Sequence, residues 1–276
     1  MSMPDPICLH LGKLAIHWYG VMMALGFLAG LATWVVLGRG TPRDLNYCSD
    51  LLFWIMVGGI GGARLAYVAA NFGRFAAEPL SIVRVDQGGL VFYGGFAGAL
   101  VAVAVFARRR RERFWSVADF TVTALPLGHA FGRLGCWLNG CCYGAPGGGP
   151  LGVCYPIYSA PWWRQAETGL IGRTAPAAAP VHPVQLYEAA WNLVLYPLLL
   201  YAYRRRWREG RVAALYLALY PLGRFFLEPL RGDERLRWDG LTAAQWGSLA
   251  ALAAGLLLLL RSFRSAAAAD DRRRES

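Results

Sequence analysis

Residues 131–144 read F-G-R-L-G-C-W-L-N-G-C-C-Y-G and close an apolar stretch, 117–138, that is long enough to cross a bilayer. A spanning helix needs about 20 predominantly apolar residues. Arg133 stands inside this stretch. A charged side chain at membrane depth is expensive, so it faces a polar cavity or a ligand rather than lipid. Beyond Leu138 the chain turns over through Gly140, two adjacent cysteines and Gly144 into a Gly/Pro-rich segment. Glycines there let a backbone or a ligand come close. The stretch reads as a site for an anionic group at the edge of a membrane.

Six more apolar stretches flank it, at 17–37, 50–70, 89–107, 184–203, 212–230 and 241–260. The sequence therefore predicts an all-α integral membrane protein: a bundle of seven transmembrane helices in one polytopic domain over residues 1–276, with an outward-facing loop region at 143–183. Residues 1–15 lack a basic n-region and do not resemble a signal peptide. Composition agrees. The 276 residues are 56% hydrophobic and 16% charged, against about 25% charged in a soluble domain. The net charge of +11 does not indicate nucleic acid, because most arginines lie in short clusters between the apolar stretches.

Those clusters also orient the chain. One set of alternate segments, which includes the C-terminal one, holds 17 basic residues; the other, from Lys13 to Arg237, holds 8. Arg64, Arg133 and Arg224 lie within spans. The positive-inside rule then places the C-terminus in the cytoplasm and the N-terminus outside. Small-xxx-small pairs at Gly26/Gly30, Gly58/Gly62, Gly94/Gly98 and Gly128/Gly132 predict close helix packing and carry no chemistry of their own.

The chemistry-bearing residues fall on a few faces. His129, Arg133, Cys136 and Gly140 share one face of the fourth span, and Arg224, Glu228 and Arg231 share one face of the sixth. One reading of the second stripe is a structural ion pair between Arg224 and Glu228. The other is that guanidiniums from two helices clamp one phosphate, for which the planar fork of arginine is well shaped. Glu228 is placed to neutralise Arg224, whereas no carboxylate stands within a helical turn of Arg133. Arg133 is therefore expected to meet the phosphate directly. Tyr93 sits among four glycines in G-G-L-V-F-Y-G-G (88–95), and Tyr19 lies in H-W-Y-G (17–20); both positions also suit plain interface aromatics. His182, Gln185 and Glu188 put three polar groups on one face at the start of the fifth span.

Six cysteines remain, of which Cys8 and Cys48 are incidental. Cys136, Cys141, Cys142 and Cys154 cluster around the outward loop. Disulfides, free thiols and a metal site compete there. The spacing matches no zinc pattern, so the expectation is a disulfide or free thiols, and no metal.

These motifs together resemble the bacterial prolipoprotein diacylglyceryl transferase family. H-W-Y-G (17–20), G-G-L-V-F-Y-G-G (88–95), G-R-L-G-C-W-L-N-G (132–140), H-P-V-Q-L-Y-E (182–188) and Y-P-L-G-R-F-F-L-E-P-L-R (220–231) follow the family's order. Arg133, Asn139, Gly140 and Gly144 fit its signature G-R-x-G-N-F-x-N-G-E-x-x-G. Cys136 stands where the signature has Asn, Cys141 where it has Glu, and Tyr93 where many members have a histidine. The resemblance implies seven helices in the bacterial inner membrane. It implies transfer of diacylglyceryl from phosphatidylglycerol to the lipobox cysteine of a prolipoprotein signal peptide, with glycerol phosphate leaving and no cofactor. Its partners would be phosphatidylglycerol, prolipoproteins and membrane lipids. It marks Tyr93, Arg133 and Arg224 as catalytic, and Tyr19, Arg133, Asn139, Gly144, His182, Gln185, Tyr220, Arg224, Glu228 and Arg231 as substrate-binding. A silent phospholipid-binding relative and a small-anion or metal transporter are the alternative readings.

Overall fold

A computed structural model describes residues 6–12, 14–84, 88–233 and 236–274. Lys13 and Arg235, counted for orientation, and Asp86 and Gln87, which precede the Tyr93 motif, lie outside the described residues. Helices occupy all seven apolar stretches: α1 (Trp18–Gly38), α2 (Leu45–Ala70), α4 (Phe92–Arg109), the pair α5 (Phe114–Val122) and α6 (Leu125–Leu138), α8 (Val184–Arg204), α9 (Arg211–Leu227) and α10 (Ala243–Arg274). The short α3 (Phe72–Ala77) and α7 (Ala160–Glu167) lie between them. Among the described residues, four helices are long and apolar enough to cross a membrane by length and composition: Trp18–Gly38, Leu45–Ala70, Phe92–Arg109 and Ala243–Ser262. This is a mostly helical membrane protein.

It is not purely α. A hairpin, β1 (Ile7–Leu11) with β2 (Leu14–His17), precedes α1, and a second ladder, β3 (Arg237–Trp238) with β4 (Leu241–Thr242), precedes α10. Both are too short to show as a period-two pattern. The fourth stretch is broken between Val122 and Leu125. Pro126 has no N–H to offer the carbonyl four residues back, so the ladder is interrupted at that point. Pro197 and Pro221, by contrast, sit inside continuous helices, as membrane helices tolerate.

The chain divides into two compact units, one of residues 31–121 and one of residues 1–30 with 122–276. In the first, α2 and α4 pack with almost no space between backbones. A Cβ on Gly58 would stand 2.7 Å from Gly98 O, and one on Gly98 would overlap Gly58 O. The small-residue pairs expected from the sequence are thus what lets these helices touch. Arg64, buried on α2, donates to four carbonyls of the segment before α4: Ser81 at 2.6 Å, Ile82 at 2.8 Å, Gly88 at 2.7 Å and Gly89 at 3.2 Å. This intramembrane arginine is satisfied by backbone, and it holds the Gly88–Gly89 turn from which α4 and Tyr93 start.

In the second unit α1 meets α6 at Gly26, where a Cβ would stand 3.1 Å from Phe131 Cβ and 3.2 Å from Gly128 O. The stretch expected as a loop, 143–183, has a core of its own. Val153, Tyr155, Trp162, Ala166, Ala178 and Val181 are buried together, with Tyr143 and Ile171 packed against them. Trp162 Nε1 donates to Ala175 O at 2.8 Å, and the Gln165 amide pairs with both backbone groups of Ala179. Its aromatic residues, Tyr155 and Trp162 at the centre, are what make it a small folded cap.

Candidate active site

The polar centre of the second unit is built around one carboxylate. Glu188 lies on the first turns of α8 and is buried. Arg133 of α6 brings Nε to 2.6 Å from its Oε2. Arg224 of α9 brings Nη1 to 3.6 Å from Oε1, and Arg231, just past the 3-10 turn Glu228–Leu230, brings Nη1 to 3.5 Å from the same oxygen. Each arginine has a further partner. Arg224 Nη1 is 2.5 Å from Glu228 Oε2, while Glu228 Oε1 accepts from Thr242 Oγ1 at 2.7 Å. Arg231 grips Asp233 with two bonds, Nε to Oδ1 at 2.9 Å and Nη2 to Oδ2 at 3.0 Å. Arg133 Nε is also 3.3 Å from His129 Nε2, and its guanidinium hydrogen-bonds Tyr220, whose ring lies 5.1 Å from that of His129.

This corrects one expectation. Arg133 has a carboxylate after all, supplied by α8 rather than by its own helix, so spacing along the fourth span could not reveal it. The network holds three guanidiniums and three carboxylates, close to formal neutrality. The pairing is by distance more than by angle. Both oxygens of Glu188, Arg224 Nη1 and Glu228 Oε2 are buried with no hydrogen bond of good geometry. The ion pairs of Arg133 and Arg224 each use one nitrogen, and a guanidinium carries five N–H donors. The site therefore fixes its arginines through carboxylates while their hydrogen-bonding capacity stays only partly used.

The turn after α6 is laced to the starts and ends of its neighbours. Gly144 N donates to His182 O at 3.0 Å, Ala145 N to Leu230 O at 2.7 Å and Gly232 N to Tyr143 O at 3.0 Å. A Cβ on Gly144 would overlap His182 O and stand 2.9 Å from Leu230 O. The position needs glycine because two backbones pass there, so its immediate role is to bring the 228–232 and 182–188 segments onto the turn. Gln185 Nε2 donates to Cys141 O at 2.8 Å and contacts Tyr155 Oη at 3.1 Å, tying the cap core to the same turn. Burial pushes the Tyr155 phenol up to about 12, which keeps it neutral. His182 stacks edge-on against Tyr187 and has a buried, unpartnered Nδ1. The side chain of Asn139, the C-cap of α6, hydrogen-bonds Cys141. Tyr19 on α1 packs against Gly135, where a Cβ would be 3.2 Å from its ring.

Tyr93 belongs to the other unit, on the first turn of α4, where it is 63% exposed beside Phe92. All six cysteines are free thiols. The sulfurs of Cys136, Cys141 and Cys142 lie within 4.8 Å of one another. Cys142, in the turn, is held below the ordinary thiol range by hydrogen bonds with Cys136 and Cys141 and by the Arg231 guanidinium. Glu188 shows in the sequence only as one polar group on a face of the fifth stretch, and nothing there assigns a role to Asp233 or Thr242. Only Asp233 left a local signal, two residues from Arg231.

Fold and site together define a helical integral-membrane protein with a buried arginine–carboxylate network at the junction of α6, α8 and α9. A family model described as prolipoprotein diacylglyceryl transferase matches residues 6–261. The phosphatidylglycerol–prolipoprotein diacylglyceryl transferase of Synechococcus elongatus is 35% identical over 264 residues, covering 93% of this chain and 87% of the relative. Relatives of the same name from Burkholderia multivorans and Bordetella bronchiseptica are each 34% identical, covering 94% of this chain and 95% and 96% of their own lengths. The chain belongs to the prolipoprotein diacylglyceryl transferase family.

Proposed function

We infer that this protein transfers the diacylglyceryl group of phosphatidylglycerol to the lipobox cysteine thiol in the signal peptide of a prolipoprotein. The glyceryl carbon–oxygen bond to phosphate breaks, a thioether carbon–sulfur bond forms, the thiol proton is lost and glycerol phosphate leaves. The observation that carries this reading is the convergence of Arg133, Arg224 and Arg231 on Glu188. In a near-neutral network the carboxylates hold the guanidiniums in place, and an incoming phosphodiester shares their remaining donors. As the ester bond breaks, charge grows on the phosphate oxygens, and donors already aimed there stabilise it without reorganising. Arg133 and Arg224 take the phosphate; Glu228 and Arg231 orient Arg224 and the carboxylate hub. Tyr220, His182, Gln185, Asn139, Gly144 and Tyr19 shape the headgroup site; a part for Tyr93 in proton transfer rests on the family resemblance of its motif alone. The attacking thiol belongs to the substrate, so Cys136 and Cys141 are not nucleophiles.

The same reading gives seven membrane-crossing helices in the bacterial inner membrane, with the N-terminus and the 143–183 cap outside and the C-terminus cytoplasmic. Helices on all seven apolar stretches and the arginine asymmetry support it. The test is the purified protein with labelled phosphatidylglycerol and a lipobox peptide. Transfer of label to the peptide thiol is expected. Lipid binding without transfer would make the protein a silent relative.

A further inference from the structure

Three cysteines that the transferase reading leaves without a task converge at the end of α6. Cys136 is on its last turn. The chain then reverses, with Gly140 at φ 72° and Cys141 N donating to Cys136 O at 3.1 Å. Cys142 takes the left-handed conformation at φ 59°, uncommon for a residue other than glycine, and this brings its side chain back toward the helix end. The result is three sulfurs within 4.8 Å of one another. Three sulfurs on one ion at roughly 2.3 Å stand about 3.8–4.0 Å apart, so a small inward movement of side chains completes the set. The C-x4-C-C spacing hides this, because the reversal after the helix does the work that a short knuckle does in familiar zinc sites.

We propose that Cys136, Cys141 and Cys142 bind one thiophilic d10 ion, Zn(II) or Cu(I), as three thiolates. Soft sulfur ligands select these ions over Mg(II), Ca(II) or Mn(II). Binding releases the thiol protons to solvent, and no oxidant or reductant is consumed. Three thiolates leave the complex with net negative charge, and the surroundings accommodate it: Arg231 hydrogen-bonds Cys142, and the Asn139 side chain hydrogen-bonds Cys141. Cys154, the fourth cysteine of the region, is not in the set. The proposal stands on this geometry and not on the transferase reading.

The test uses the full chain, purified in detergent under argon, loaded separately with Zn(II) and with Cu(I), then dialysed and analysed for metal. About one ion per chain is expected for one of the two ions, and the identity of that ion separates the two coordination chemistries. Alkylation followed by peptide mapping is the second readout, and it needs no variant. The bound ion should protect Cys136, Cys141 and Cys142 and leave Cys154 and Cys8 reactive at the rate of the metal-free protein. Cys136→Ser and Cys142→Ser should each abolish retention. Failure to retain either ion, equal protection of all cysteines, or a disulfide within the trio in the argon-purified protein would overturn the proposal.

Discussion

Arg133→Lys separates the ion pair that this side chain makes from the phosphate role proposed for it. Arg133 meets Glu188 through Nε at 2.6 Å, a contact an ammonium can replace. The terminal fork beyond that nitrogen has no counterpart in lysine. The substitution should therefore preserve the ion pair and most of the stability while removing the donors proposed to follow charge onto the leaving phosphate. Loss of one such preorganised donor raises a barrier by about 2.7–4 kcal/mol, a fall of roughly 10²–10³ in turnover. The assay is single-turnover transfer from labelled phosphatidylglycerol to a lipobox peptide, run beside thermal unfolding in the same detergent. Lost turnover with nearly unchanged unfolding is the expected pair of results. Near-normal turnover would refute the phosphate role and leave Arg133 as a structural partner of Glu188.

Glu188→Gln tests the hub from the other side. It leaves three guanidiniums facing a neutral amide, and removing one partner of a buried ion pair costs roughly 3–5 kcal/mol, so the unfolding temperature should drop clearly; an unchanged one would show that none of the three pairs, the 2.6 Å contact with Arg133 included, contributes much to stability. Tyr93→Phe should slow transfer without destabilising the protein, and Tyr93→His should be tolerated. Wild-type turnover in the Phe variant would remove the hydroxyl from the mechanism. Reporter fusions after Arg111 and after Arg206 should both read cytoplasm, and a signal from the opposite side at either would break the proposed topology.

Much of this protein is legible along the chain because membrane insertion imposes local rules. Apolar runs of spanning length, prolines tolerated inside Val184–Arg204 and Arg211–Leu227, and glycine pairs at helix contacts are all properties of a few consecutive residues. The arginine stripe of the sixth stretch and its internal pair, Arg224 with Glu228, were equally local, since residues four apart share a face. Local pattern thus specifies a helical membrane protein with three intramembrane arginines, Arg64, Arg133 and Arg224, facing something polar.

Tertiary structure decided which groups meet. Glu188 serves Arg133 from a different helix, and Thr242 reaches Glu228 across 14 residues of chain. Gly144 is required by two backbones that reach it from distant segments, and the 143–183 cap has a core because its aromatic residues find one another in space. Cys136, Cys141 and Cys142 form one cluster because a left-handed residue reverses the chain. No periodicity encodes such meetings. A buried charge is satisfied by whichever partner packing delivers, and packing is settled by all the helices at once rather than by any one of them.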